Sequence, residues 1–242
     1  MSGHSKWKNI MHRKEKTDSQ RAKIFTKIGR EITLAVKEGG PDPVSNSKLK
    51  DLIAKAKSNN VPNDNIDRVI KKAAGSSDTD NYEEIIYEGY GPSGIAVIVE
   101  TLTDNRNRTA GNMRHYFDKC GGNLGQTGSV NWMFTKKGVI ILDKYEYDED
   151  KLMEAVMETP SEDLVTEDEV YEIYTGPDAD FRETKDVLTD KGYVFLSAEE
   201  EMVPGSYTQI TDEESREKMQ KLLMMLEDDD DVQNVYHNWS ED

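Results

Sequence analysis

The spacing of apolar residues changes period once along this chain, and that change restricts the folds open to it. Up to Gly75 the apolar residues recur three and four apart, as on amphipathic helices. From Glu83 onward they form short runs of strand length, separated by turns and broken by further helical stretches. The segment between, GSSDTDN at 75–81, has the composition of a linker. The chain therefore reads as α+β with a helical region ahead of the sheets. Its 242 residues suit two or three small domains better than one core.

Within the helical part, Asp18 or Ser19 is expected to cap a helix running to about Glu38, stopped by Gly39-Gly40-Pro41. Ile24, Phe25, Ile28, Ile32, Ala35 and Val36 gather on one side of it, and Lys23, Lys27, Arg30 and Lys37 on the other. Ser47 is expected to cap a second helix carrying Leu49, Leu52, Ile53 and Ala56, and Pro62-Asn63 to open a third that closes at Gly75.

Beyond the linker, EIIYEGYGPSGIAVIVET reads as two strands around a turn, and NRNRTAGNMRHYFDKCGG as a helix with Ala110, Met113 and Phe117 inward. Residues 135–204 then read β-α-β-(β)-α-β, one strand not located in the sequence, the order of a split ferredoxin-like unit. In it EVYEIYT is an alternating strand, and Asp180 with Glu183 has the spacing of a capping box. Thr211 with Glu214 opens a last helix, with Met219, Leu222, Leu223 and Leu226 on one face, and VQNVYHNW is a final strand. A β-α-β tail has little to pair with alone. It is expected to complete the sheet begun at 83–100, which makes 135–204 an insertion. Asp228 to Asp231 stand at that helix's C-terminal end, where negative charge is unfavourable, and read as a solvated loop.

Charge is segregated by region. The chain has a net charge of −17, yet residues 1–75 hold 17 Lys and Arg against 8 acids, while 143–205 holds 5 against 21. Opposite potentials at two ends suit a molecule that grips a polyanion with one part and keeps the other away from it. Lys6, Lys8, Arg13, Lys14, Lys16, Arg21, Lys23, Lys27 and Arg30 are dense enough to follow a phosphate backbone. Trp7, between two lysines, suits stacking on an unpaired base. Arg106, Arg108 and Arg114 form a second patch around a helix start, where free N–H groups favour anions. The third helix begins NDNIDR, and Asp64 and Asp67 argue against inserting it in a DNA major groove.

Catalytic patterns are weak. His115 and Cys120 lie five apart on one predicted helix and point in different directions, which does not suit a nucleophile pair. A single cysteine excludes an intrachain disulfide and a cysteine metal cluster. His4 and His12 could bind a metal only with ligands from elsewhere. GYGPSGIA and GGNLGQTGS match neither phosphate-loop nor dinucleotide spacing. The expectation is no enzyme, no cofactor and no metal. Without a secretory signal or an apolar span, the expected location is cytoplasmic, with no membrane partner and a monomeric state.

The segments SGHSKWKNIMHRK, RAKIFTKIGREI, NVPNDNIDR, YEGYGPSGIAVIVETLTDNRNRT and GGNLGQTGSVNWMF resemble the YebC family, a bacterial group with a mitochondrial relative. The likeness runs essentially end to end, and the GHSKW opening resembles the family's larger branch. It implies a basic helical domain at 1–78, a middle α+β domain at 79–134 completed by 205–242, and an acidic ferredoxin-like domain at 135–204. It implies no catalytic residues. The family is described as probable transcriptional regulators of promoter DNA. Members are also assigned a translational role, helping ribosomes through proline-rich stretches. Carried onto this chain, the contacting positions are Lys6, Trp7, Lys8, His12, Arg13, Lys14 and the Lys23, Lys27, Arg30 stripe. Lys8 stands where a smaller residue is expected. The reading is a nucleic-acid-binding regulator, with ribosomal RNA favoured over promoter DNA. The acidic domain is left to meet a ribosomal or other basic protein, or to act as an interaction adaptor.

Overall fold

A computed structural model describes residues 18–75 and 81–240, with the side chains of its first helix described from Ala22. The described residues form two compact units, one holding 18–129 together with Glu213–Val235, the other Val130–Asp212 together with 236–240.

The first unit begins with three helices, α1 (Asp18–Gly39), α2 (Ser47–Ser58) and α3 (Asn63–Gly75). Ile28, Ile32, Ala35, Val36, Leu49, Ala56, Ile66 and Ala73 form their shared core. The α1–α2 corner is built around Asn46. Its amide donates to the carbonyls of Ala35 and Gly40, at 2.8 and 2.9 Å, while its Oδ1 accepts from the Leu49 N–H at 3.0 Å. One buried side chain thus closes α1 and caps α2, so the cap is Asn46 and not Ser47. The expected cap at Asp18 or Ser19 concerns side chains outside the described residues.

The sheet of this unit contains β1 (Glu83–Tyr90), β2 (Ala96–Thr103), β3 (Asn123–Leu124) and β9 (Val232–His237), in the order β3-β1-β2-β9. The β1–β2 hairpin pairs Glu83 with Thr103 through Tyr90 with Ala96. Its turn places Ser93 and Gly94 at φ of 57° and 75°. Helix α4 (Arg106–Lys119) packs Met113 and Phe117 inward, and Gly89 on β1 lets Phe117 approach the strand. Helix α7 (Glu213–Asp228) buries Met219, Leu222 and Leu226 and delivers the chain to β9 beside β2. Strand β9 of the tail joins the first sheet, as expected, but the tail's residues 208–209 and 239–240 do not.

The second unit runs β4 (Phe134–Asp143), α5 (Glu149–Met157), β5 (Ser161–Thr166), β6 (Val170–Thr175), α6 (Ala179–Asp190) and β7 (Ser197–Pro204). The strand order β5-β6-β4-β7, antiparallel throughout, is the split ferredoxin-like arrangement. Ile140, Leu142, Leu152, Ala155, Val156, Tyr171, Ile173 and Leu188 form the core between sheet and helices. Strand β6 does not alternate: it lies between β5 and β4 and buries Val170, Tyr171, Glu172 and Ile173 in succession. Helix α6 begins from Asp178, at φ 59°, so Asp180 already lies in its first turn and does not cap it. A parallel pair, β8 (Thr208–Gln209) with β10 (Trp239–Ser240), completes this unit.

Candidate nucleic-acid interface

The predicted stripe on α1 has a partner inside its own unit. Lys23 Nζ reaches Asp228, donating to its Oδ1 at 2.7 Å and its carbonyl at 3.2 Å. Lys27 Nζ donates to the Glu227 carbonyl at 2.8 Å. Arg30 donates to Asp231 Oδ1 at 2.6 Å, to the Asp230 carbonyl at 2.8 Å and to the Leu102 carbonyl at 3.3 Å, and lies over the Tyr82 ring. Three cations at i, i+4 and i+7 therefore meet the C-terminal end of α7, where free carbonyls and the helix dipole both favour positive charge. Burial pulls the Lys27 ammonium below its ordinary value, against the opposing charges of Glu227, Asp229 and Asp230.

The acid run is not the solvated loop expected from the sequence. Asp231 is buried, and its carboxylate accepts from Arg30, from the Arg108 guanidinium at 2.8 and 2.9 Å, and from Thr109 Oγ1 at 2.8 Å. Burial alone would raise its pKa, but the hydrogen bonds from Arg108, Thr109 and Arg30 win and hold it below the usual carboxylate range. Asp229 accepts from Asn112 at 3.0 Å and from the Tyr116 hydroxyl at 2.9 Å. Burial and that Asp229 bond push the Tyr116 phenol up to about 12.

Arg108, expected in the second patch, is thus turned into the network, bound also to Asp104 at 2.8 Å. Both partners raise its pKa. Asn105 caps α4 by accepting from the Arg108 N–H, 3.0 Å away. The other two patch residues point outward. Arg106 approaches Glu83 only at 3.8 Å, with most of its side chain exposed, and Arg114 is exposed with no ion pair to any described residue. Both guanidiniums act on Tyr87, whose phenol burial pushes up against their pull. The Tyr87 hydroxyl is shielded from solvent and has no hydrogen-bond partner among the described residues.

Sequence reasoning missed a further set. Lys50 and Lys57 on α2 and Arg68 and Lys71 on α3 are exposed and make no ion pair with a described residue. Their spacings, i to i+7 and i to i+3, each keep one helix face, which was the available signal. Arg68, Lys71 and Lys72 line a shallow cleft with Asp64 and Asp67. Lys6, Trp7, Lys8, His12, Arg13, Lys14 and Lys16 lie outside the described residues, as does the side chain of Arg21.

Nothing in the described residues assembles a catalytic pair from His115 and Cys120. The histidine is exposed, while the thiol is buried, and burial raises its pKa. Among the described residues no group of three His, Cys, Asp or Glu side chains is placed to hold a metal ion, and no helix is long and apolar enough to cross a membrane.

Comparison with known proteins covers nearly the whole chain. Residues 5–76 match the family described as the TACO1/YebC protein N-terminal domain, and residues 82–239 match the TACO1/YebC second and third domain. A probable transcriptional regulatory protein of Acetivibrio thermocellus is 60% identical over 240 residues, covering 99% of each chain. One of the same description from Caldicellulosiruptor bescii is 56% identical over 243 residues, covering 100% of this chain and 99% of its own. The crystal structure of a conserved hypothetical protein from Aquifex aeolicus superposes with a TM-score of 0.84 at 45% identity, covering 93% of both chains.

Proposed function

The chain belongs to the TACO1/YebC family, and from that premise we propose that it is a non-enzymatic, nucleic-acid-binding regulator of gene expression, with ribosomal RNA as its favoured target. The observation that carries the reading is the division of charge. Residues 1–75 carry 17 basic residues against 8 acids, and 143–205 carries 5 against 21. Cations free of carboxylate partners are what a phosphate backbone requires, since each contact releases a condensed counterion. In the described residues these include Arg114 on α4 with Lys50, Lys57, Arg68 and Lys71, and Arg106 holds only a long, exposed pair to Glu83. In the basic opening, Lys6, Lys8, Arg13 and Lys14 extend the grip, and Trp7 or His12 contacts bases.

RNA is favoured because the third helix presents Asp64 and Asp67 at its start, which disfavours major-groove entry, whereas shape-and-phosphate recognition suits folded RNA. On this reading the protein serves as a translation factor at the ribosome, assisting synthesis through proline-rich stretches. Promoter DNA is the second reading, supported by the description of the relatives as probable transcriptional regulatory proteins. Fluorescence anisotropy of the full chain against a ribosomal RNA hairpin and a promoter-length duplex, at two salt concentrations, separates the two. The expected result is tighter hairpin binding, weakened by Arg106→Glu with Arg114→Glu and by rising salt. Duplex binding that is tighter at both salts would favour the transcriptional reading. Absence of binding to either would overturn both.

A further inference from the structure

We propose that the acidic run closing α7 is an internal phosphate mimic that occupies the α1 cations, so that a polyanion and the run compete for the same row and binding releases the three-helix layer from the sheet. The inference rests on the reading of α1 as a phosphate-contacting helix.

Four observations support it. First, the row Lys23, Lys27, Arg30 is engaged by the oxygens of Glu227, Asp228, Asp230 and Asp231, a succession of anionic and carbonyl acceptors along one stretch of chain. A row of phosphates would offer the same row of acceptors. Second, the seam is polar. Among the described residues the core cluster of the helical layer lies within 24–73, and the bonds that cross to the sheet and α7 include those of the α1 cations, the Arg30–Tyr82 stack and a Lys48–Glu84 pair at 3.6 Å. Such a seam weakens with salt and with competing anions, whereas an apolar one would not.

Third, the hydrogen bonding is asymmetric. When Arg30 leaves, Asp231 keeps Arg108, Thr109 and Thr103, so opening orphans no buried carboxylate. Fourth, Lys27 gains on leaving. Lys27 is held at the seam with burial lowering its pKa, and solvent or phosphate contact relieves that desolvation. The arrangement also accounts for the position of four aspartates at a helix C-terminus, where the dipole disfavours them: the α1 cations offset the repulsion while the layer is closed. In the closed form Asp231 ties the half-exposed Arg108 into the network, and Arg106 and Arg114 remain available for a first encounter with the polyanion.

The test uses the full chain and a labelled ribosomal RNA hairpin. Donor and acceptor dyes are placed at Ala54→Cys on α2 and Glu217→Cys on α7, both exposed, in a Cys120→Ala background. The expected result is a fall in energy transfer that saturates with the RNA. Asp228→Asn with Asp230→Asn is expected to tighten RNA binding about twofold to fivefold more than Glu213→Gln with Glu214→Gln, which removes equal charge at the other end of α7. RNA binding with unchanged energy transfer would overturn the competition while leaving the proposed function intact. Equal tightening by the two double variants would reduce the effect to long-range electrostatics and also overturn it. No RNA binding at all would overturn the function and this inference together.

Discussion

Replacing Asp231 by Asn tests the network on which the first unit closes. Asn matches the carboxylate in shape but removes its charge and turns one acceptor oxygen into an NH2 group. That group would face donors wherever it is placed, because Oδ1 receives Arg30 and Arg108 while Oδ2 receives Arg108, Thr109 and Thr103. Breaking a buried ion pair from one side costs about 3–5 kcal/mol. Two features reduce the figure here. Arg108 is 44% exposed and retains Asp104, so solvent screens part of its loss, and Arg30 keeps the carbonyls of Asp230 and Leu102. The remaining cost is about 2–3 kcal/mol, which corresponds to roughly 30- to 150-fold faster amide exchange where exchange requires opening of the whole unit. The amides to follow are those of β1 and β2, including Leu102, whose N–H donates to the Asp231 carbonyl at 2.7 Å. Asp228→Asn, which loses only an exposed pair with Lys23, should speed exchange less than about fivefold. Protection in Asp231→Asn within about twofold of the native chain, or an equal loss in Asp228→Asn, would refute the reasoning.

Three further expectations follow from individual sites. Because the folded pKa of Asp231 is depressed, its contribution to stability is full above the ordinary carboxylate value and disappears as pH falls through the folded value. The urea midpoint of the first unit should therefore drop in acid below about pH 4, and drop less steeply in Asp231→Asn; parallel curves would contradict this. The buried thiol of Cys120 should resist N-ethylmaleimide at neutral pH until the chain unfolds, and rapid labelling of the native protein would show the site to be open. Gly138→Ala should destabilise the ferredoxin-like unit by about 1–3 kcal/mol, since its Cβ would meet Thr175 Oγ1 and the Phe181 side chain. Gly111→Ala on α4, with open space around it, should be neutral or slightly stabilising, so equal melting shifts for the two would be the contrary result.

The elements were legible because each rests on local periodicity. The three helices, the β1–β2 hairpin and the order of the ferredoxin-like unit follow from apolar spacing and glycine placement. The addition of β9 to the first sheet was also legible, but not that Thr208–Gln209 and Trp239–Ser240 of the same tail pair with each other. Other features depend on contacts far along the chain. Helical phase shows which side of α1 is polar, but not that Lys23, Lys27 and Arg30 meet residues about two hundred positions away. Phase likewise placed Arg106, Arg108 and Arg114 around one helix start without showing that Thr109 and Asp231 draw Arg108 inward. Alternation in β6 hid its second buried face, because Glu172 reads as a solvent residue although it shares that face with Val170, which packs with Val139 and Ile141. At the α1–α2 corner, Asn46 and Ser47 are both good caps by residue type, and only the reach of Asn46 back to Ala35 decides between them.

The most direct test of the central claim is sedimentation of the full chain with ribosomes, beside a variant carrying Lys6, Lys8, Arg13 and Lys14 changed to Glu, with a promoter-length duplex as competitor at two salt concentrations. The account predicts that the native chain travels with ribosomes, resists the duplex, and loses this behaviour in the variant. Release from the ribosome to duplex DNA at moderate salt, or unchanged sedimentation of the variant, would contradict it.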